Sequence, residues 1–138
     1  MQQLNRFIEA QENSYSHALS EIKNGEKRSH WMWYIFPQIK GLGFSSTANF
    51  YGIDDVEEAK LYINHDVLGT RLLEITNALL ILKSNNADEI FGFPDNLKLK
   101  SCMTLFKHVS DEPVFQAVLD KFFDGDEDEK TVEILNGA

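Results

Sequence analysis

HWMWYIFPQ, residues 30–38, decides the fold class. As a strand it would seed a sheet. As a helix it leaves a chain built of helices alone. Within WMWYIF only Ile35 is β-branched, and the run stops at Pro37. Ser29, just ahead of it, is a residue type that caps helix starts. The favoured reading is a short helix from His30 to about Ile35, with a strand as the alternative.

Helical spacing governs the chain on both sides of this run. Upstream, Leu4, Phe7 and Ile8, then Tyr15, Ala18, Leu19 and Ile22, recur three and four apart. They predict one helix or a broken pair over residues 3–24, closed by Asn24-Gly25. Downstream, Gly41 and Gly43 suit a turn before a helix capped by Ser45 or Ser46. Asp54-Asp55 precedes VEEAKLYINH, with acidic residues at the positive end of that helix. Asp66 opens VLGTRLLEITNALLILK, expected to be the longest helix, with Val67, Leu68, Leu72, Ile75, Leu79 and Leu82 on its buried stripe. Asn86 fits the cap of a short ADEIFG turn, and Pro94 starts a helix whose inner stripe is Leu99, Cys102, Met103 and Phe106. Pro113 opens PVFQAVLDKFF, and a last helix covers about 128–135. No repeat or interior linker interrupts the pattern. The expectation is one compact all-α domain over residues 1–138, with six to eight helices and no substantial sheet.

Composition narrows the partners. A chain of 138 residues with 43% apolar and 12% aromatic content suits a folded globule with a substantial core. A formal charge of -9 weighs against duplex nucleic acid and against anionic membranes, because both are bound largely through cationic side chains. No apolar run approaches the length of a transmembrane helix, and MQQLNRFIEAQENS lacks an apolar signal core. The localisation expected is cytoplasmic. Cys102, the one cysteine, falls within an apolar-periodic segment and reads as a buried structural thiol.

Two motifs fail on their own terms. DGDEDE begins like a calcium loop, but Glu129 stands where the sharp-turn glycine belongs and Leu135 where the bidentate glutamate belongs. GLGFSS, residues 41–46, has Ser46 in place of a third glycine and no strand ahead of it, so it does not form a dinucleotide fingerprint. His17, His30, His65 and His108 have no metal-ligand spacing, and neither metal nor cofactor is expected.

The stretch KRSHWMW carries more chemistry. If Ser29 caps a helix, Lys27 and Arg28 stand beside its unsatisfied N–H groups and positive dipole end, a setting that holds phosphate or carboxylate. Trp31 and Trp33 offer stacking faces, His30 a proton carrier near neutral pH, and Gln38 a reader of polar edges. The same tryptophans also suit a helical core, and Lys27-Arg28 a solvated pair. On the helix after Pro94, Lys98, Ser101, Thr104 and His108 share one side, opposite the apolar stripe. Alone that side reads as a wet surface. Facing the first stretch, it would complete a pocket with Lys98 as a second cation.

KRSHWMWYIFPQ, GLG, YGI, INHDVLGTRL, IFGFPDNLKLKSCMTLF and VFQAVLDKFFDG together resemble the bacterial family known as domain of unknown function 1810. The resemblance runs from LNRFIEAQ to the last helix. It implies a small, mainly helical single domain and no established activity. That family's pattern usually reads S-S-M-T-L-F, so Cys102 replaces a serine and is no obligatory nucleophile. A shorter likeness, carried by Phe91-Gly92 and Asp95, runs to helical enzymes associated with NAD and ADP-ribose. It implies a ribose-phosphate nucleotide as occupant.

Two functions are therefore expected in competition. The first is binding of a small anionic, nucleotide-like ligand of the ADP-ribose class. Lys27, Arg28 and Lys98 would hold charge, Trp31 and Trp33 would stack, and Gln38, Ser101 and Thr104 would line the pocket. If the protein is an enzyme, it would hydrolyse an N-glycosidic or related bond, with His30 and Asp95 in the catalytic positions. The second is a non-catalytic module that docks a protein partner on an exposed aromatic patch.

Overall fold

Ten helices follow one another through residues 2–137, the part of the chain described by the computed structural model, with side chains described from Leu4 onward. They are α1 (Gln2–Glu12), α2 (Tyr15–Lys23), α3 (Met32–Ile35), α4 (Ser46–Tyr51) and α5 (Val56–Asn64). Then come α6 (Leu68–Ile81), α7 (Ala87–Phe91), α8 (Asp95–Val109), α9 (Val114–Phe123) and α10 (Glu129–Leu135). Among the described residues the only β pairing is an isolated parallel bridge between Ile39 and Ile53. The all-α expectation holds, and the count of ten corrects six to eight. The two extra helices are α1 and α2 standing apart where residues 3–24 allowed a single helix, and α7, whose five residues read as a turn because they are too short for an apolar stripe to repeat.

Local chemistry places most boundaries. Ser45, Asp55, Asn86 and Asp128 each accept a backbone N–H from the first turn of α4, α5, α7 and α10 respectively. Asn24 and Gly25 end α2, the glycine at φ +77°. At α6 the expectation fails in detail. The helix starts at Leu68, and His65, not Asp66, serves its first turn: the His65 Nδ1 accepts the Val67 and Leu68 N–H groups at 3.1 and 3.2 Å. Val67 consequently lies outside the helix and is exposed, and Leu82 lies past its end, half-buried. Gly69 is required here, since a Cβ would stand 2.0 Å from the Ile63 carbonyl oxygen at the end of α5.

One core holds the helices together. α6 packs on α2, α5 and α9, while α8 packs on α5, α7, α9 and α10. Two details differ from the sequence reading, and enclosure on so many sides explains the second. α8, at 15 residues against 14 for α6, is the longest helix. Its supposed wet face is largely dry, because every residue from Ser101 to Phe106 is buried. Cys102 is fully buried, which pushes its thiol pKa well up and leaves it unreactive. No helix among the described residues is long and apolar enough to cross a membrane.

Candidate functional site

The anion expected at the start of α3 is supplied by the protein itself. Glu21, on α2, accepts the backbone N–H groups of Arg28 at 2.7 Å and Ser29 at 3.0 Å. The same carboxylate accepts the Ser29 hydroxyl at 2.6 Å and the Trp31 indole N–H at 2.9 Å. Burial pushes the Glu21 pKa up, but these four donors outweigh it and hold the carboxyl at about 2. Ser29 therefore does not cap α3, a correction with a plain cause: its hydroxyl is committed to Glu21, and the helix begins later, behind Trp31, with no side-chain cap. Arg28 sends its guanidinium outward to Glu26 at 3.0 Å and is 74% exposed.

Lys27 turns the other way. Its N–H donates to the Ile90 carbonyl at 2.7 Å, and its ammonium donates to the Ser29 carbonyl and lies 5.0 Å from the centroid of Trp31. The same ammonium meets the Asp95 carboxylate at 2.9 Å. Asp95, in the first turn of α8, also lies 3.4 Å from the Lys98 ammonium, which in turn sits 4.4 Å from the centroid of Trp33. Two ammonium groups thus share one carboxylate. The row Lys27–Asp95–Lys98 carries one net positive charge in a protein of charge -9.

Beside this row opens a cleft of about 320 Å³. Trp33 and Gln38 form one wall, and Pro94, Leu97, Lys98 and Ser101 form the facing wall from the start of α8. The turn before α4 closes a third side with Phe44 and Ser45. The Gln38 side chain has no protein partner among the described residues, so its amide is available to a ligand. Phe44, in the lining, is 86% exposed, and Leu97 47%. Two large apolar side chains left in water in the lining of one cleft form the kind of surface that marks a contact site.

The tertiary structure thus brings together Trp33, Gln38, Lys98 and Ser101, drawn from segments about sixty residues apart, with Lys27 and Asp95 at their back. The others named from sequence lie elsewhere. Trp31 is 1% exposed and belongs to the core, edge-on to Phe91. Thr104 is buried: its hydroxyl donates to the Lys100 carbonyl at 2.8 Å and accepts the Asp128 N–H at 2.9 Å, which ties α10 to α8. His30 is exposed, with no hydrogen bond or ion pair among the described residues. His108 pairs with Glu127 at 2.8 Å on another face. Phe44 and Leu97 escaped sequence reasoning. The available signal was that each is a large apolar residue off any helical stripe. No cluster of three or more His, Cys, Asp or Glu side chains able to hold a metal ion occurs among the described residues.

Fold and cleft together define a single-domain helical protein with a small cation- and aromatic-lined cleft. The chain belongs to the family described as protein of unknown function (DUF1810), which it matches over residues 1–135. It is similar to the conserved hypothetical protein Rv1873 from Mycobacterium tuberculosis, known from a crystal structure. Identity is 46%, coverage is 98% of this chain and 97% of that one, and the TM-score is 0.95. No curated protein matches it.

Proposed function

We propose that the Trp33–Lys98 cleft binds a small anionic ligand carrying a flat ring, of the nucleotide class and with ADP-ribose derivatives as the leading candidates. One observation carries this reading: a tryptophan, an unpartnered amide and a lysine that shares its carboxylate with a second lysine converge on one cavity. Lys98 is the anion contact, since it lines the cavity and shares its counter-ion with Lys27. Trp33 and Phe44 supply ring faces, the Gln38 amide supplies a polar contact, and the Ser101 hydroxyl, which donates to the Leu97 carbonyl at 3.2 Å, offers its oxygen as an acceptor. Binding without hydrolysis fits better than catalysis. Asp95 is engaged by two ammonium groups, and His30 is not among the residues lining the cleft. Isothermal titration with AMP and ADP-ribose tests the reading. Heat of binding that Lys98→Met abolishes supports it; no heat with either nucleotide, or equal heat in the variant, rejects it.

The exposure of Phe44 and Leu97 favours a second reading, in which the same rim docks a protein partner. In that case Phe44→Ser and Leu97→Ser together remove partner capture, and Lys98→Met leaves it in place.

A further inference from the structure

A second cleft, of about 840 Å³, lies between α1 and the end of α4, and its lining shares no residue with the Trp33–Lys98 cavity. Its shape is held by Arg6, which joins α1 to the segment that follows α4. The guanidinium donates to the Phe50 carbonyl at 2.7 Å, to the Gly52 carbonyl at 2.8 Å, and to both Glu58 oxygens at 3.0 and 3.1 Å. On the opposite side Lys40 meets Asp54 at 2.6 Å, next to the Ile39–Ile53 bridge. These contacts make the cleft a built feature of the fold rather than a gap between loops.

Its chemistry selects by charge and by polarity. Arg6 is matched by Glu58 and Lys40 by Asp54, so neither cation is free to hold an anion. Glu9 and Asp54 also repel an anion, while Arg6 and Lys40 repel a cation. What remains is a dense set of neutral donors and acceptors. The Asn5 amide and the Tyr51 hydroxyl have no protein partner among the described residues, and Asn49 makes one long bond, to the Phe44 carbonyl at 3.4 Å. The Glu9 carboxylate makes no hydrogen bond or ion pair among the described residues and can accept from vicinal hydroxyl groups. Phe50 stands nearly perpendicular to Tyr51, with ring centroids 4.8 Å apart, and is 59% exposed. An exposed ring among amides, a hydroxyl and a carboxylate matches a molecule with hydroxyl groups around its edge and C–H groups on its faces.

We infer that this α1–α4 cleft is a binding site for an uncharged saccharide, with one sugar ring laid on Phe50 and its hydroxyl groups read by Asn5, Glu9 and Asn49. The volume lies within the usual range of small-molecule sites. The inference is independent of the nucleotide reading, since the two clefts have separate linings.

Backbone amide NMR titrations of the whole chain with maltotriose, cellotriose and triacetylchitotriose test it. At least one of them is expected to shift the amides of residues 5–10 and 49–54 at millimolar concentration. Phe50→Ala, at a mostly exposed position, should keep the folded spectrum and weaken that binding about tenfold. Asn5→Ala should weaken it about threefold, as for loss of one hydrogen bond. Phe44→Ala, in the other cleft, should leave it unchanged. The inference is overturned if none of the trisaccharides shifts these amides, if binding survives Phe50→Ala undiminished, or if spermidine shifts the same amides more strongly than any sugar.

Discussion

Trp31 and Trp33, two residues apart, do different work. Trp31 sits in the core at 1% exposure, its indole N–H spent on Glu21 and its ring set against Phe36 and Phe91. Trp33 stays partly buried in the wall of a cleft, with the Lys98 ammonium over its ring. The difference lies in what meets each residue. The donors around Trp31 find an internal carboxylate and close the structure on themselves, whereas Trp33 faces a lysine whose carboxylate is shared with a second lysine. A saturated cluster stabilises the fold; an unsaturated one is left to bind.

The largest expected effect follows directly. Trp31→Ala should cost about 3–5 kcal/mol of unfolding free energy, the range for removing a fully buried large aromatic, whereas Trp33→Ala should cost about 1 kcal/mol. Urea denaturation of the two variants measures both values. Equal losses would break the division between the two indoles.

Glu21 comes next. Its folded pKa of about 2 lies below its ordinary 4.5, so its contribution to stability is complete above about pH 4.5 and is lost as pH falls toward 2. Allowing for partial exposure, Glu21→Gln should lower stability by about 2 kcal/mol at neutral pH. The gap between wild type and variant should narrow steadily in urea melts taken at decreasing pH within that acid window. A constant gap across the window would mean that the four donors do not act through the ionised carboxylate.

Lys98→Met is expected to reduce affinity for AMP or ADP-ribose at least tenfold while changing stability by less than about 1 kcal/mol, because its ammonium is near the surface and only loosely paired. Titration calorimetry and a thermal melt on the same sample read both quantities. Asp95→Asn sharpens the point. Removing the shared counter-ion should raise nucleotide affinity and steepen its salt dependence, and a fall in affinity would show that Asp95 positions the lysines rather than competing for them.

The smallest effect belongs to His30. Exposed and without a bonded partner among the described residues, it should tolerate His30→Gln within about 0.5 kcal/mol and without change in nucleotide binding. Loss of binding in that variant would extend the site past Trp33 and blur the contrast with Trp31.

Much of the fold was legible because its determinants are local. Apolar spacing of three and four marked the long helices, and Asp55, Asn86 and Gly25 marked helix ends, since a cap is a contact between residues close in sequence. The start of α6 was misplaced because a histidine Nδ1 took the role expected of Asp66. Ser29 was misassigned because its partner, Glu21, lies eight residues back on another helix, where no local rule sees it. Thr104 and Ser101 were placed on a wet face because amphipathic reading supposes one buried side, and α8 is packed on several.

The sequence by itself determined the helical class, the positions of the long helices, the acidic charge and the presence of an aromatic, cationic stretch beside a proline. All of these are set by composition and by spacings of a few residues. Only the tertiary structure decided which tryptophan faces inward, that Glu21 neutralises the first cluster, that Lys98 and Ser101 meet Trp33 and Gln38 across some sixty residues, and that a second cleft forms against α1. The physical reason is that electrostatic and hydrogen-bond partners are chosen in space. A donor carries no mark in the sequence of which distant acceptor packing will bring to it.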